Sequence, residues 1–339
     1  MKDHVTLDDV ARLAGVSPKT VSRVVNGEAY VSVQVRESVE RAVASLGYRP
    51  NLAARSLAAA RSFLVGVISP YLESFYFMKL HSTVIRASKE RGLHVIIELV
   101  DLEARDHLQR LESALRQLRF EGVILTQPVC DQAGVLDLLD RLQIPYVRIA
   151  PSKDFDRSDC VGADQAQGMK LLAEHFWSLG HRRIACAVVS TRRRDLLKES
   201  LLELGGSPDQ IQSVLLNWRE RPITIGRQLA ATILSQRNRP TAVFTFNDGV
   251  AAGVIAYAGE HDLSIPQDLS VAGYDDDELA QIVWPHLTTV RQPLDRMARA
   301  AVELLTEPAG DGKPRRLITP VELIVRNSTG EVRRGRQQS

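Results

Sequence analysis

The stretch Thr6–Gly27, TLDDVARLAGVSPKTVSRVVNG, decides the fold of the front of the chain, because it predicts two short helices joined by a tight turn. Thr6 followed three residues later by Asp9 is typical of a capping box at a helix start. Gly15 permits the turn that ends the first helix. The spacing of apolar residues predicts an inner face for both helices, made of Val10, Leu13, Ala14, Val21 and Val24 or Val25.

The second helix carries the polar residues that point to a partner. Ser17 is a natural N-cap and Pro18 suits the first helical position, so the helix spans about residues 18–24. Its outer surface then presents Lys19, Thr20, Ser22 and Arg23. Such side chains near a helix N-terminus reach base edges and phosphates in the major groove, which favours a DNA-binding helix-turn-helix. A solvated helical hairpin without a nucleic-acid partner is the alternative.

A third helix and a short hinge follow. Ser32 is the expected cap of the third helix, Gly47 ends it, and its apolar residues are Val35, Val39, Ala42, Val43 and Leu46. Residues 48–51, YRPN, interrupt the helical pattern, since the residue before a proline avoids the helical region. Residues 52–60, LAARSLAAA, predict a short helix that is marginal in water by itself.

These segments resemble a known family over a long run. Thr6–Gly27, continued by YVSVQVRESVERAVASLGYRPNLAARSLAAARS over residues 30–62, is similar to the DNA-binding headpiece and hinge of the lactose-repressor (LacI/GalR) family. The resemblance implies that two hinge helices pair over the minor groove and that Leu57 wedges into a central base step. A flexible linker with an incidental leucine is the alternative. The expected DNA-binding residues are Thr6, Ser17, Pro18, Lys19, Thr20, Ser22, Arg23, Asn26, Asn51, Ala54, Arg55 and Leu57.

Composition and charge fit this assignment. The chain has 339 residues, of which 44% are hydrophobic and 25% charged, enough for two or three globular domains. Its formal net charge is +2, but residues 1–61 hold nine Lys or Arg against six Asp or Glu, a local charge of +3. The remainder is therefore about neutral. Two paired headpieces would double the phosphate contacts, and a homodimer also matches an approximately palindromic operator.

Other classes of protein find little support. Cys130, Cys160 and Cys186 are widely spaced, which favours neither a disulfide framework nor a zinc site. The N-terminus MKDHVTLDD lacks the apolar stretch of a secretion signal and no run is long enough to cross a bilayer, so a cytoplasmic protein is expected. The nucleotide-binding, nucleophile-elbow and zinc-protease motifs are absent, which argues against an enzyme. We expect no cofactor and no metal.

From Phe63 onward, apolar runs alternate with amphipathic helices. The first series has the strands FLVGVIS, HVIIELV, GVILTQP and PYVRIA, with helices near residues 75–91, 104–119 and 132–142. The second has the strands CVGAD, RIACAVV, AVFTFND and LSVAGYDD, with helices near residues 165–179, 193–204, 222–236 and 249–260. Two such series predict two doubly wound parallel sheets with a ligand cleft between them.

The predicted fold class is therefore α/β, with a three-helix headpiece and two doubly wound subdomains resembling periplasmic sugar-binding proteins. The expected domains are the headpiece at 1–50, the hinge at 51–61 and the effector-binding and dimerisation core at 62–339. LTTVRQP, a helix over 294–305 and a strand around ITPVELIVR resemble the return crossovers of the family. The first subdomain then covers about 62–161 and 292–321, and the second about 162–291 and 322–339.

Polar residues end several strands of the second series. Asp164, the pair at 247–248 and the aspartates at 275–277 all follow apolar runs. In open α/β sheets ligands bind beyond the carboxyl ends of strands, so these side chains are expected at the cleft. Helix capping is the alternative, which we favour for Asp248 and for Asp276 or Asp277. A metal site in the aspartate run has little support, because adjacent side chains diverge.

The resemblance also implies a set of effector-binding residues: Asp164, Arg193, Trp218, Asn247 and Asp275. Their chemistry fits a polyhydroxylated ligand, since a guanidinium donates, carboxylates accept and an indole covers the apolar side of a sugar ring. The sequence departs from the family after the arginine, so Arg192 or Arg194 remains an alternative to Arg193. It departs again at residues 74–77, SFYF, where Phe75 and Tyr76 are expected to line the pocket.

Together these observations predict a homodimeric transcriptional repressor of carbohydrate-utilisation genes, switched by a small sugar-like effector. A regulator that responds to a non-sugar metabolite such as a purine is the alternative. A free sugar-binding protein and an enzyme are further rivals.

Overall fold

The computed structural model describes residues 5–25, 30–48, 56, 59, 61–70, 74–188, 191–215, 220–307 and 312–333. The chain forms two compact units, Met1–Phe63 and Leu64–Ser339.

Three described helices form the first unit: α1 (Leu7–Ala14), α2 (Pro18–Val25) and α3 (Val33–Leu46). The predicted capping box is present, because the Thr6 hydroxyl accepts from the Asp9 amide while the Asp9 carboxylate accepts from the Thr6 amide. Gly15 ends α1 at φ 68° and Gly47 ends α3 at φ 62°, left-handed conformations that favour glycine. Ser32 occupies the N-cap position of α3 but makes no capping hydrogen bond.

The core of this unit lies where the three helices meet. Its buried residues are Val10, Ala11, Val21, Val24, Val39 and Ala42. The expected inward position of Leu13 is wrong, since this side chain is 55% exposed. Ala11 takes its place because a helix eight residues long buries only a narrow stripe of its surface.

Six described strands form the first sheet of the core unit. They are β1 (Leu64–Pro70), β2 (His94–Val100), β3 (Gly122–Leu125), β4 (Tyr146–Ile149), β5 (Cys160–Ala163) and β11 (Arg316–Thr319), all parallel, in the order β11-β5-β4-β3-β1-β2. The helices between them are α4 (Phe75–Glu90), α5 (His107–Leu118) and α6 (Ala133–Leu142). We call this sheet with its helices the first lobe.

The second lobe has the same plan. Its described strands are β6 (Ile184–Val188), β7 (Ile211–Leu215), β8 (Ala242–Thr245), β9 (Ser270–Asp275), β10 (Thr288–Arg291) and β12 (Glu322–Ile324), in the order β12-β10-β9-β8-β6-β7. Only β12 runs antiparallel to its neighbour in this described sheet. Its helices are α7 (Gln165–Ser178), α8 (Thr191–Glu203), α9 (Pro222–Leu234), α10 (Asp248–Glu260) and the short α11 (Leu279–Ile282).

The chain passes between the lobes at three points of its described course. The first crossing lies directly after β5, the second between β10 and α12 (Leu294–Thr306), and the third between β11 and β12. The prediction that the strand at Cys160 opens the second series is wrong, because this strand pairs with β4 and β11 in the first sheet. The expected boundary between residues 161 and 162 falls inside this strand.

The second lobe contains a close helix contact that depends on two glycines. A Cβ on Gly226 of α9 would lie 2.0 Å from the Val250 carbonyl oxygen, and one on Gly253 of α10 would lie 2.2 Å from the Ile223 carbonyl oxygen. The backbones of α9 and α10 therefore touch directly. This contact fixes the start of α10, which borders the cleft.

Within the described part of the chain, no helix combines the length and apolar character that a membrane span requires. Cys130, Cys160 and Cys186 are buried free thiols.

Candidate functional sites

The first candidate site is the outer surface of α2 in the headpiece. The Ser17 hydroxyl accepts from the Thr20 amide at 3.2 Å and lies 2.9 Å from the Thr20 hydroxyl, so it caps the helix. Val21 and Val24 are buried, whereas Lys19 and Arg23 are exposed on the opposite surface. Both cations are therefore accessible from solvent, Lys19 in the first turn of α2 and Arg23 in its last turn.

The other predicted DNA-binding residues occupy several environments. Pro18 is exposed and Ser22 is half-buried, both on α2. Thr6 belongs to the capping box, and its hydrogen bonds to Asp9 lower the pKa of that carboxyl. The remaining predicted residues lie outside the described part of the chain: Asn26, Asn51, Ala54, Arg55 and Leu57.

The second candidate site is the cleft between the lobes, where Asp275 ends β9. Asp275 has a φ of 111°, outside the region that most residues adopt. Its Oδ1 accepts a hydrogen bond of 2.6 Å from Nε2 of Gln292. Burial raises the pKa of Asp275 to about 7, although the charge of Arg193 and the bond from Gln292 act in the opposite direction. The carboxyl is thus positioned by the segment that leads back to the first lobe.

Arg193 is the arginine of α8 that lies beside Asp275. Its guanidinium carbon is 3.6 Å from the centre of the Tyr274 ring, and Nη1 donates to the Phe246 carbonyl oxygen at 2.9 Å. Arg194 instead forms an ion pair with Asp195, 2.6 Å from Nη2 to Oδ1, and Arg192 faces Phe155 of the first lobe. Of the three consecutive arginines, Arg193 therefore has the geometry expected of a cleft residue.

Asp164 and Asn247 both cap helices. Oδ1 of Asp164 accepts from the Gln167 amide at 3.0 Å at the start of α7. Oδ1 of Asn247 accepts from the Val250 amide at 2.9 Å at the start of α10. Capping uses one carboxylate oxygen of Asp164 and the single side-chain oxygen of Asn247, and it holds the two residues just beyond the carboxyl ends of β5 and β8.

The remaining aspartates are structural, and one expectation about them is wrong. Asp248 is not a cap, because Asn247 fills that position. Instead the buried Asp248 accepts from the Thr289 hydroxyl at 2.6 Å and the Asp277 amide at 2.8 Å, and burial raises its pKa well above the ordinary value. Asp277 accepts from the Leu279 amide at 2.8 Å, as expected of a residue at a helix start.

Asp276 does not cap a helix either. Its two oxygens form ion pairs with Arg291 at 2.7 Å and with Arg326 at 2.6 Å. Both oxygens of this nearly buried side chain are thus occupied, which leaves Asp275 as the aspartate of the run that faces the cleft. Among the described residues, no group of three or more His, Cys, Asp or Glu is arranged to hold a metal ion.

The first lobe contributes the start of α4. Ser74 caps this helix by accepting from the Phe77 amide at 3.3 Å, and Phe75 and Tyr76 follow as half-buried side chains. Burial raises the pKa of Tyr76; the charge of Asp275 raises it further, whereas that of Arg193 lowers it. Tyr76 therefore lies within electrostatic reach of both cleft residues of the second lobe.

Two residues of this site were not predicted from the sequence. Gln292 positions Asp275 by a hydrogen bond, and the ring of Tyr274 packs against the guanidinium of Arg193. The only signal for Gln292 was its place directly after a strand, and Tyr274 lies inside an apolar run that indicates core packing. Trp218, which was predicted, lies outside the described residues.

Comparison with known proteins agrees with both halves of this description. The profile described as bacterial regulatory proteins, lacI family, matches residues 6–51, and a periplasmic binding protein-like domain matches residues 173–329. The chain is 30% identical to the HTH-type transcriptional regulator DegA of Bacillus subtilis, over 96% of this chain and 98% of that protein. It is also 30% identical to the lactose operon repressor of Escherichia coli, over 96% and 91%.

Solved structures give the same result. The Lac repressor dimer bound to operator and the anti-inducer ONPF matches with a TM-score of 0.78 and 28% identity, over 96% of this chain and 99% of that one. The complex of the transcriptional regulator CelR with cellobiose matches with a TM-score of 0.67 and 26% identity, over the same shares.

Proposed function

Because this chain belongs to the lacI family of DNA-binding transcriptional regulators, we propose that it represses carbohydrate-utilisation genes and that a sugar-like effector switches it. The observation that carries the proposal is that Arg193 and Asp275 lie within electrostatic reach of each other at the carboxyl end of the second sheet, with Tyr76 of the first lobe within reach of both. A ligand held there contacts both lobes.

The hydrogen-bonding groups of the cleft suit a polyhydroxylated molecule. Among the described residues, Oδ2 of Asp275 receives no hydrogen bond, and Arg193 uses Nη1 alone. A carboxylate oxygen and a fork of guanidinium donors can therefore engage neighbouring hydroxyls of one ring. A relative of known structure, CelR, is complexed with the sugar cellobiose, which supports the same ligand class here.

The DNA-binding end of the proposal rests on the exposed surface of α2. One recognition helix covers only a few base pairs, so a dimer that binds an approximately palindromic operator supplies the remaining specificity. The Lac repressor structure is a dimer bound to operator. In this chain Ile282 and Trp284 of the second lobe are 68% and 72% exposed, which supports a self-association surface near α11.

The proposed switch is a linkage between the two sites. An effector that prefers one arrangement of the lobes shifts the population toward that arrangement. In this proposal, the hinge segments 51–61 of the two subunits of the dimer then pair as helices or separate. In this proposal Leu57 wedges between base pairs only while the hinge helices are paired.

Two experiments with the full chain test the proposal. Selection from a pool of random duplexes at fixed salt should enrich an approximately palindromic sequence, whereas a pool that stays random would contradict sequence-specific binding. Thermal-shift titration with neutral mono- and disaccharides should then identify a stabilising ligand that changes affinity for the selected duplex. Adenine, guanine and hypoxanthine form the second arm, and stabilisation by these alone would replace the sugar with a purine.

The role of Asp275 in effector binding is tested with a matched pair of variants. Asp275→Asn should abolish the saccharide response while binding of the selected duplex persists. Asp195→Asn alters a neighbouring carboxylate whose partner is Arg194, and it should leave the response intact. Loss of the circular dichroism spectrum in the Asp275 variant would instead assign this residue a structural role.

A further inference from the structure

Phe155 forms a contact between the lobes outside the proposed effector site. It lies in the connection between β4 and β5, residues 150–159, which we call the β4–β5 loop. The guanidinium carbon of Arg316, at the start of β11, is 3.9 Å from the centre of its ring. The guanidinium carbon of Arg192, on α8 of the second lobe, is 5.8 Å from the same point. Both distances are within the range of a cation–π interaction.

The β4–β5 loop is built around a buried arginine. Arg148 of β4 is fully buried, and no carboxylate of the described residues forms an ion pair with it. Its donors serve the loop instead: Nε donates to the Ser158 hydroxyl at 3.0 Å, Nη1 to the Lys153 carbonyl oxygen at 3.1 Å, and Nη2 to the Asp154 carbonyl oxygen. A buried charge satisfied in this way fixes the backbone on both sides of Phe155.

Further bonds hold the same loop from outside. The Ser152 hydroxyl donates to Asp131 at 2.6 Å, and Arg157 contacts Asp137 at 2.5 Å. Ala150 and Asp154 have φ values of 55° and 51°, which non-glycine residues adopt only when their surroundings over-determine the backbone. The ring of Phe155 is thus presented from a rigid loop.

The partner of this ring is one residue away from the proposed effector-binding arginine. Arg192 and Arg193 are consecutive at the start of α8. Among the described residues, Arg192 has no carboxylate within ion-pair distance, and its guanidinium instead faces the Phe155 ring. The lobe arrangement that forms this contact also places Tyr76 near Asp275 and Arg193.

We propose that Phe155 is a positioning residue. Its cation–π contact with Arg192 joins the two lobes and holds the start of α8, including Arg193, in the lobe arrangement in which residues of both lobes line the cleft. The contact favours one lobe arrangement in the absence of any ligand. Its effect on effector binding rests on the proposed function, whereas its effect on the lobes does not.

The first test therefore uses the full chain without effector. Cysteines are introduced at the exposed positions Gln109 of α5 and Glu199 of α8 and are spin-labelled, so that pulsed electron paramagnetic resonance measures the distance between the lobes. The native cysteines are buried and are therefore protected from labelling. Labelled chains are diluted into unlabelled chains so that the two labels of one chain are measured. Phe155→Leu and Arg192→Ala should each shift or broaden the distribution, and the double variant should add nothing to either.

Two controls distinguish the cation–π contact between Arg192 and Phe155 from a general effect on packing. Phe155→Trp keeps an aromatic face and should retain the original distribution, because tryptophan gives the strongest cation–π interaction. Arg194→Ala removes a neighbouring cation that pairs with Asp195 and should also leave the distribution unchanged. An unchanged distribution in both Phe155→Leu and Arg192→Ala would overturn the proposal, as would additive effects of the two changes.

The second test measures affinity for the saccharide found by titration. Each single variant should weaken binding by about two- to fivefold, as expected from the loss of one exposed cation–π contact, and the double variant by the same factor. Unchanged affinity together with a shifted distance distribution would overturn the coupling to the effector site. If no saccharide binds wild-type protein, the proposed effector class fails, and the distance measurement still decides the inference.

Discussion

The guanidinium carbon of Arg193 lies 3.6 Å from the centre of the Tyr274 ring, and the buried Tyr274 hydroxyl has no hydrogen-bond partner among the described residues. The aromatic face of Tyr274, rather than its hydroxyl, therefore supports Arg193. An unpaired buried hydroxyl costs stability, on the order of 1–3 kcal/mol.

Tyr274→Phe should consequently stabilise the fold by up to about 1 kcal/mol and leave effector affinity unchanged, because the ring remains beneath Arg193. Tyr274→Leu should weaken effector binding by about two- to fivefold, through loss of the cation–π contact. Urea unfolding and saccharide titration of both variants provide the measurements. Weaker binding by the phenylalanine variant would assign the hydroxyl to the ligand and contradict this interpretation.

Effector binding should strengthen as the pH rises from about 6 to about 8, by at most about tenfold. Burial raises the pKa of Asp275 to about 7, so a proton competes with ligand hydroxyls for the carboxylate below that pH. The raised pKa also means that this group stabilises the fold most below about pH 4 and that the contribution is lost as the pH rises through about 7. Calorimetric titration of the wild-type chain with the saccharide across this range checks the prediction, and an affinity that does not change with pH would contradict it.

Arg23→Ala should lower affinity for the selected duplex by about 10- to 100-fold while the saccharide response persists. Arg23 is exposed on the outer surface of α2, where a single base or phosphate contact has this magnitude. Arg12→Ala is the matched control, because Arg12 lies on α1 and pairs with Asp9 at 3.3 Å. Equal losses in the two variants would mean that α2 is not the recognition surface.

Gly226→Ala should destabilise the core by more than about 3 kcal/mol, because the new methyl group would meet the Val250 carbonyl oxygen at 2.0 Å. Gly259→Ala, on the neighbouring helix α10, meets nothing within 4 Å and should stabilise by about 0.5–1 kcal/mol. Denaturant midpoints of the two variants give the comparison. A similar midpoint for Gly226→Ala and wild type would show that α9 and α10 can move apart at little cost.

Most helices were predictable from the sequence because their signals are local. The capping box at Thr6, the left-handed glycine at 15 and the apolar periodicity of residues 165–178 all act within a few residues. Strand β5 was assigned to the wrong sheet because CVGA has no local signal for its partner. Its pairing with β11, more than 150 residues later, decides its place.

The candidate site shows the same limit. The polar strand ends were predictable, but Asn247 and Asp248 are both good capping residues, and only the packing of α10 decides which one caps. The orientation of Arg192, Arg193 and Arg194 depends on how α8 packs against β6 and the first lobe. Because the three consecutive residues are identical, the sequence holds no signal for which of them faces the cleft. Tyr274 was missed because a buried aromatic in a strand normally indicates packing alone.

Strand β11 has a consequence for biosynthesis. On the ribosome, residues 64–163 emerge long before residues 316–319, so a nascent first lobe displays the open edge of β5 while strands β6 to β10 of the second lobe are being translated. An unpaired edge is a template for another strand, which makes this interval the one in which chaperone protection matters. A product truncated before Arg316 would keep that edge permanently and should aggregate, although most of its first lobe is already made.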